Sequence, residues 1–268
     1  MLEGAVCFAD GGVDAMMRAG LYRLRGLMME KILYLLWRRH EDTAADFRRR
    51  LLADIAPGLL RSTGVQHVRL NVADDDVAPA AALRQSCSGQ PFDAMLSLWV
   101  DTAVWRARCE SVFREQVARW HAYLVCESEP IVHAARMPLD GGRVEGWSQI
   151  CILTRPDWIS YEQWLAVWQN SHTQIAIDTQ STFGYRQNVI VRPLSYAAPG
   201  YSAIIEENFP AAAMTSQQAF YAAEGDEERY RANLRAMMDS CARFIDRDRI
   251  DVVPTSEYNW GATAHAGS

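Results

Sequence analysis

The feature that most constrains the fold is an order of strand and helix patterns that occurs twice along the chain. An apolar strand begins at Lys31, and a helix, two strands, a second helix and a further strand follow it up to Glu127. The same order returns between Ser148 and Pro254. Because an offset of about 117 residues is too long for a solenoid repeat, it indicates the duplication of a whole domain.

The two copies can be aligned residue by residue at this offset. It pairs Phe47 with Trp164, Arg69 with Arg186, and Asn71 with Asn188. We predict five segments: an N-terminal extension (1–28), a first repeat (29–136), a linker (137–146), a second repeat (147–260) and a C-terminal tail (261–268). The predicted fold class is α+β, with two ferredoxin-like βαββαβ repeats whose sheets pair and enclose one cavity.

Turn and cap residues predict the limits of several elements. Pro57, followed by Gly58, predicts the end of the first helix. Ser160 and Gln163 form a capping-box pattern at the start of the corresponding helix in the second repeat. We also predict a loop over 74–89, a helix over 104–118 and a short final strand over 250–254.

Composition argues against several classes of partner and site. Lys and Arg number 27 against 33 Asp and Glu, and the net charge of −6 argues against nucleic acid or an anionic membrane as a partner. No apolar run approaches the roughly 20 residues that span a bilayer. The six cysteines form no CxxC pair, so we expect reduced thiols of a cytoplasmic protein rather than zinc ligands.

Common cofactor motifs are also missing from the sequence. It contains no GxGxxG, P-loop or GxSxG pattern, and His40 and His265 are too isolated to indicate haem or metal, so we expect no cofactor. Residues 1–28 lack the long apolar segment and the cleavage site of a signal peptide, and a natural start at Met28 or Met29 is one interpretation.

Strand alternation predicts which side chains face the cavity. In the strand over 65–72 one face is apolar, and the other carries His67, Arg69 and Asn71. The apolar face is expected to pack under helices, so the polar face should point into the lumen. Similar alternation elsewhere adds further candidate substrate-binding residues, with Trp168 as an aromatic wall: His121, Tyr123, Arg186, Asn188 and Glu207.

This polar lumen has two interpretations. The charged groups could form ion pairs across the seam between the repeats and bind nothing, because unpaired buried charge is unfavourable. Alternatively, the polar and aromatic groups form a small-molecule pocket, in which Arg69 and Arg186 hold a substrate carboxylate.

The second repeat contains the residues that carry a family resemblance. The strand CILTRP precedes the helix SYEQWLAVWQNSH, which carries Trp164 and ends at His172, and the strand FGYRQNV then includes Asn188. This order resembles the EthD domain of the dimeric α+β barrel superfamily, in two copies that cover nearly all of 31–260. The resemblance implies an intramolecular dimeric α+β barrel, a pseudodimer formed by the two repeats of one chain.

The resemblance also implies where chemistry takes place. The first repeat has Ile55 where the second has His172, so one working site near the second repeat is expected. His172 is the predicted general acid or base, because imidazole titrates near neutral pH. Asp178 is predicted to orient His172, and Tyr185 to donate a hydrogen bond.

The resemblance implies that the protein is a cofactor-independent enzyme. Its expected substrate is a small, carboxylated, aromatic-derived compound. Within that range we favour hydrolysis or isomerisation of an ester or lactone, such as a ring-fission product. A non-catalytic binding or accessory protein for a hydrophobic metabolite and an oligomerisation module with a filled lumen are the alternatives. The expected partner is a small molecule, and the chain is expected to be a monomer or a homodimer.

Overall fold

Within residues 29–133 and 138–261, which the computed structural model describes, eight antiparallel strands close into a barrel with helices on its outer face. The fold is therefore α+β. The strands are β1 (Glu30–Trp37), β2 (Val65–Val72), β3 (Gln85–Ser86), β4 (Ala94–Val100), β5 (Arg119–Ile131), β6 (Asp140–Arg143), β7 (Trp147–Leu153), β8 (Gly184–Pro193), β9 (Ala203–Phe209) and β10 (Ile250–Gly261). The helices are α1 (Ala44–Arg50), α2 (Ala56–Leu60), α3 (Ala107–Phe113), α4 (Tyr161–Val167), α5 (Thr173–Thr179), α6 (Gln217–Phe220) and α7 (Glu227–Cys241).

Both halves of the chain contribute strands to the barrel in the same internal order. The ring runs β2-β4-β1-β5 and then β8-β9-β7-β10, and β10 pairs with β2 to close it. The short strands β3 and β6 pair with β10 outside this ring.

The long strands β5 and β10 join the two halves. β5 pairs with β1 as far as Val125 and continues along β8. β10 pairs with β7 as far as Thr255, and Ser256–Gly261 then pairs with β2. The predicted end of this strand at Pro254 is therefore wrong, because a strand from the distant half of the chain extends it.

A π-helical turn interrupts the first helix of each half. Leu51–Ile55 lies between α1 and α2, and Trp168–His172 lies between α4 and α5. The predicted helix end at Pro57 is wrong: proline is tolerated in the first turn of a helical segment, and α2 begins immediately before it. The capping box of Ser160 and Gln163 at the start of α4 is confirmed.

Several connecting segments are more regular than predicted. A 3-10 helix over Asp75–Leu83 and β3 occupy most of the predicted loop, and β6 lies within the predicted linker. The predicted helix over 104–118 is divided into α3 and two flanking 3-10 turns, Ala103–Trp105 and Arg114–Gln116. The predicted extension over 1–28, with residues 134–137 and 262–268, lies outside the described residues. In the ranges that are described, no helix is long and apolar enough to cross a membrane.

The outer face of the barrel packs against the helices through two apolar clusters. One, in the N-terminal half, includes Phe47, Leu51 and Phe113, and the other, in the C-terminal half, includes Trp164 and Trp168. The aligned residues Phe47 and Trp164 are both fully buried, each one turn before a π turn. Equivalent aromatic residues therefore anchor the first helix of each half.

The lumen of the barrel is occupied by side chains of two kinds. An apolar cluster contains Leu33, Leu35, Met95, Tyr123 and Ile204, among others. Beside it lies a buried charged network, contributed by β1, β2, β8, β9 and β10: Lys31, Arg69, Arg186, Glu206 and Glu257.

Glu206 lies at the centre of this charged network. Its carboxylate oxygens lie 2.8 Å from Lys31 Nζ and 3.0 Å from Arg69 Nη1. Burial alone would raise the pKa of Glu206, but the surrounding cations hold it well below its usual range. Glu257 lies 3.2 Å from Arg186 Nη1, and this cation together with Arg69 lowers the pKa of Glu257 to about 2 against the opposing effect of burial. Ion pairs therefore cross between the halves, as the first interpretation of the lumen predicted.

We expect Glu206→Gln to lower the free energy of unfolding by roughly 3–5 kcal/mol, because it removes a fully buried counter-charge that Lys31 and Arg69 share. Urea titration followed by tryptophan fluorescence at neutral pH measures the change. Glu162→Gln, at an exposed position of α4, is the matched control and should differ from wild type by less than about 0.5 kcal/mol. Equal stabilities of the two variants would contradict a structural role for the network.

Candidate functional site

Four of the predicted lumen residues face inward and are hydrogen-bonded or ion-paired to other lumen side chains: Arg69, Asn71, Arg186 and Asn188. Arg69 and Arg186 are paired with the lumen carboxylates. Asn188 Nδ2 donates to Glu206 Oε1 at 3.0 Å, and Asn71 Nδ2 lies 3.3 Å from a threonine hydroxyl of β10. Both guanidinium groups thus have carboxylate partners within the lumen, and their role as a clamp on a substrate carboxylate stays a prediction.

His67 is a structural member of the same region. Its Nε2 lies 3.4 Å from Asn259 Oδ1, and its ring packs edge-on against Trp99. Burial, with a smaller contribution from Arg69, lowers the pKa of His67 to about 4. The imidazole is therefore neutral at physiological pH.

His121 and Tyr123 occupy another part of the lumen. The His121 ring packs edge-on against Trp37, and burial lowers its pKa. Tyr123 belongs to the apolar cluster, and its hydroxyl donates to the Pro199 carbonyl at 3.1 Å. Neither residue contacts the charged network through a described hydrogen bond.

A separate cavity of about 310 Å³ lies outside the lumen, between the barrel and the helices of the C-terminal half. Outward-facing strand residues form its floor: Gln149, Cys151, Tyr185, Ile205, Glu207 and Val252. Helical residues form its walls: His172, Phe220, Tyr221, Met237, Met238 and Cys241. Among the described residues, no lysine or arginine lines it.

Glu207 lines this cavity and not the lumen, which corrects its predicted orientation. Glu206 and Glu207 are adjacent on β9, so their side chains point to opposite faces of the sheet. Glu206 is the one that faces inward. The alternation of side chains along a strand places neighbouring residues on opposite faces of the sheet. It does not predict which of the two carboxylates, Glu206 or Glu207, faces the lumen.

The protein environment raises the pKa of Glu207 above the value that a glutamate has in water. Its Oε2 accepts a hydrogen bond from Gln149 Nε2 at 3.1 Å. Burial raises the pKa of Glu207 to about 7, and the bond from Gln149 opposes that effect only in part. Glu207 therefore exchanges a proton near neutral pH.

His172 lies in the π turn between α4 and α5 and lines the same cavity. Its Nδ1 is 2.9 Å from Ser240 Oγ on α7, and its ring packs against Phe244. Burial, assisted by the nearby Arg243, lowers the pKa of His172 to about 4. The side chain is thus a neutral imidazole at physiological pH.

Asp178 does not orient His172, contrary to the prediction. Its carboxylate is exposed on α5 and accepts a hydrogen bond from Gln174 at 2.8 Å. Ser240 makes the contact with His172 instead. That serine lies far along the chain, and α7 meets this region only through tertiary packing.

Tyr185 lines the cavity as a neutral phenol, since burial raises its pKa well above the usual value. Its hydroxyl oxygen accepts hydrogen bonds from Trp168 Nε1 and from Gln187 Nε2, each at 3.2 Å. Trp168 is itself fully buried and is not among the residues that line the cavity. The predicted roles of Tyr185 and Trp168 in ligand binding stay predictions.

The N-terminal half supplies part of the cavity wall. Leu83 and Gln85 line the cavity from the segment that leads into β3. Asp251 on β10 fixes this segment, because its Oδ1 accepts hydrogen bonds from the backbone N–H groups of Cys87 at 2.7 Å and Ser88 at 2.9 Å. The cavity is thus completed by both halves of the chain.

Gln149 and Ser240 were missed by the sequence analysis. Gln149 had a usable signal: it is a polar residue on the face of β7 that also carries Trp147, Cys151 and Leu153. A polar side chain on a face that packs under helices indicates either a buried partner or a cavity. Ser240 had no comparable signal, because its partner is set by the packing of α7.

Comparisons with known proteins identify the type of fold. No family model matches the sequence, and no curated protein matches it. An anthrone oxidase-like protein superposes with a TM-score of 0.51 at 8% sequence identity, over 90% of this chain and 97% of that chain. This likeness shows the fold alone, which is of the dimeric α+β barrel type.

Further solved structures are similar at lower scores. A candidate monooxygenase from Lactobacillus acidophilus has a TM-score of 0.46 at 7% identity, over 87% of this chain and 96% of its own. A mutant chlorite dismutase from Candidatus Nitrospira defluvii has a TM-score of 0.44 at 11% identity, over 85% of this chain and 90% of its own.

The predicted reaction is corrected by these findings. The solved structure with a TM-score of 0.51 is named an anthrone oxidase-like protein and not a hydrolase or isomerase, so the prediction of ester or lactone hydrolysis or isomerisation is wrong. The charges of the site also argue against a carboxylated substrate. The arginines expected to bind it are paired inside the lumen, and within the described residues the cavity wall offers no cationic side chain.

We expect Glu207→Gln to stabilise the folded protein at pH 8 and to change its stability little at about pH 4. The folded-state pKa of about 7 lies above the usual value of 4.5, so between these values the folded protein holds a proton that the unfolded chain has lost. Stability of the wild type therefore falls as the pH rises through this window. The neutral glutamine avoids that loss, which is on the order of 3 kcal/mol.

Urea unfolding at both pH values measures this difference. Glu162→Gln removes an exposed carboxylate of the same kind and should follow the wild type at each pH. Identical stabilities of wild type and Glu207→Gln at pH 8 would contradict the raised pKa.

Proposed function

We propose that the protein is an oxidoreductase whose cavity binds a neutral, weakly acidic aromatic compound. In this proposal Glu207 removes a proton from the compound, and O₂ oxidises the resulting anion. The observation that carries the proposal is a buried carboxyl group with a pKa of about 7 among apolar and aromatic walls. A general base is most effective when its pKa lies near the working pH.

The size and lining of the cavity support this substrate class. A volume of about 310 Å³ lies at the lower end of the range for small-molecule sites, roughly 300–1,000 Å³. Phe220, Tyr221 and Met237 offer apolar and polarisable surface to a flat ring system. A neutral compound needs no counter-charge, and it leaves Glu207 as the ionisable carboxyl of the site.

The proposed reaction converts an activated methylene group into a carbonyl group. The Glu207 carboxylate takes one methylene proton, and the electron pair left on carbon delocalises into the conjugated ketone. Transfer of electrons to O₂ and formation of a carbon–oxygen bond give a peroxide anion. This anion takes the proton back from Glu207, which regenerates the carboxylate, and the resulting hydroperoxide loses water. In sum, R₂CH₂ + O₂ gives R₂C=O + H₂O, with carbon oxidised and both oxygen atoms reduced.

The choice of an activated aromatic methylene is supported by the name of one structural neighbour, an anthrone oxidase-like protein. Anthrone is a neutral aryl ketone, and its methylene group is acidified by two rings and the carbonyl. Its fused rings suit the apolar cavity walls.

We also propose that the barrel consists of two ferredoxin-like βαββαβ repeats, 29–136 and 147–260, that form a pseudodimer related to the EthD domain. The identical strand order of the halves supports this, and so do the π turns that begin at Leu51 and at Trp168. A monomer or homodimer in the cytoplasm remains the expected state of the protein.

We expect the wild type to oxidise anthrone faster than protein-free buffer does, with equimolar consumption of O₂. Glu207→Gln should lower kcat by about 10²-fold or more, because the base is lost. An oxygen electrode and the absorbance of anthraquinone measure the reaction. Glu162→Gln should keep the wild-type rate, since its side chain is exposed on α4.

Three outcomes would overturn this reaction. Glu207→Gln could retain the wild-type rate, which would exclude its carboxylate as the base. Anthrone could bind tightly without being oxidised, which would indicate a carrier. Turnover could also follow the amount of a coloured cofactor bound to the protein, which would exclude a direct reaction of the anion with O₂.

We expect kcat/KM to rise with pH and to level off above about pH 7, because the ionised form of Glu207 is the base. The other ionisable groups of the cavity stay neutral across this range. Burial raises the pKa of the tyrosines and cysteines that line it (Tyr185, Tyr221, Cys151 and Cys241), and His172 has a pKa of about 4. A flat profile between about pH 5 and pH 8.5 would contradict the assignment.

A further inference from the structure

We propose that Ser240 and Arg243 hold His172 in the tautomer that carries its proton on Nε2, which makes His172 a hydrogen-bond donor to a ketone oxygen in the cavity. The identity of the bound compound rests on the proposed function, whereas the tautomer does not. The inference narrows the substrate class to aryl ketones whose carbonyl oxygen is conjugated with the acidic C–H group.

The tautomer follows from a chain of hydrogen bonds that starts at Arg243. A guanidinium group only donates, and Arg243 Nη2 lies 2.9 Å from Ser240 Oγ. The serine oxygen is therefore an acceptor in that contact, and its own hydrogen remains to be donated. His172 Nδ1 lies 2.9 Å from the same oxygen and is the acceptor for that hydrogen.

The opposite tautomer would leave a buried group without a partner. If His172 Nδ1 carried the proton, Ser240 Oγ would accept from both His172 and Arg243. Its hydroxyl hydrogen would then have no acceptor among the described contacts, in a residue that is only 2% exposed. A buried donor without a partner costs more free energy than one hydrogen bond contributes on balance. The Nε2–H tautomer, which leaves no such donor on Ser240, is therefore preferred.

The second ring nitrogen belongs to a side chain that lines the cavity, and it is accessible to a bound molecule. His172 lines the cavity, and Ser240 already occupies its Nδ1. Within the described ranges, Nε2 has no hydrogen-bond partner and is not fully enclosed by protein atoms. The donor at Nε2 is therefore left for a bound molecule.

This arrangement complements the removal of a proton by Glu207. As the carboxylate takes the proton, negative charge develops on the conjugated oxygen, and a fixed N–H donor at that point stabilises the transition state. The imidazole must stay neutral, since an imidazolium would lower the pKa of Glu207 and weaken the base. Burial and the neighbouring Arg243 keep His172 neutral, with a pKa of about 4.

The tautomer can be tested without any substrate. In a long-range ¹H–¹⁵N spectrum of uniformly labelled protein, a protonated and an unprotonated ring nitrogen resonate far apart. His172→Gln identifies the His172 signals among the six histidines. We expect an unprotonated Nδ1 and a protonated Nε2 from about pH 6 to pH 8. A protonated Nδ1, or an imidazolium in this range, would overturn the proposal.

Variants then connect the tautomer to turnover. Ser240→Ala should mix the two tautomers and lower kcat roughly tenfold with little change in KM, and Ser240→Thr should restore both the spectrum and the rate. His172→Phe should lower kcat by roughly 10²–10³-fold. Ser111→Ala, at an exposed position of α3, is the matched control and should match wild type.

The outcomes separate this inference from the proposed function. A wild-type spectrum for Ser240→Ala would show that Ser240 does not set the tautomer, whatever the activity. The expected spectrum combined with an unchanged rate for His172→Phe would overturn the donor role. Absence of anthrone oxidation with the expected spectrum would reject the proposed function and leave the tautomer assignment intact.

Discussion

The buried ion-pair network in the lumen is the constraint on which the rest of this structure depends. Lys31 and Arg69 from the N-terminal half meet Glu206 and Glu257 from the C-terminal half, where little water is available to solvate them. Each charge is tolerable in the interior only because the others are in place. The two halves must therefore close on each other in one register, and the long strands β5 and β10 provide that closure.

The network also engages the arginines that the sequence offers as anion-binding groups, Arg69 and Arg186, and an apolar cluster occupies another part of the lumen. The cavity of the C-terminal half, outside the barrel wall, has the opposite character. It contains the buried carboxyl of Glu207 and, among the described residues, no cationic side chain. A carboxylate in this setting binds protons and not cationic partners, which is the physical basis of the proposed oxidation chemistry.

The two halves share a backbone plan and differ in chemistry at equivalent places. Both interrupt their first helix with a π turn, a feature often found at functional sites. The turn in the N-terminal half ends in Ile55, which packs in the apolar core, whereas the turn in the C-terminal half ends in His172 beside the cavity. The N-terminal half instead lends Leu83 and Gln85 to the cavity wall. One half therefore carries the polar groups of the candidate site, and the other completes its enclosure.

Local patterns in the sequence were enough to predict the order of the main strands and helices and the inward direction of His67, Arg69 and Arg186. These are local properties, set by helical and strand periodicity within a few residues. Three further features depend on the packing of distant elements: the arginines pair with Glu206 and Glu257, Glu207 and not Glu206 lines the cavity, and Ser240 is the partner of His172. Each of these depends on groups far apart in the chain that meet when the barrel closes and the helices pack, and no local pattern encodes which of them will meet.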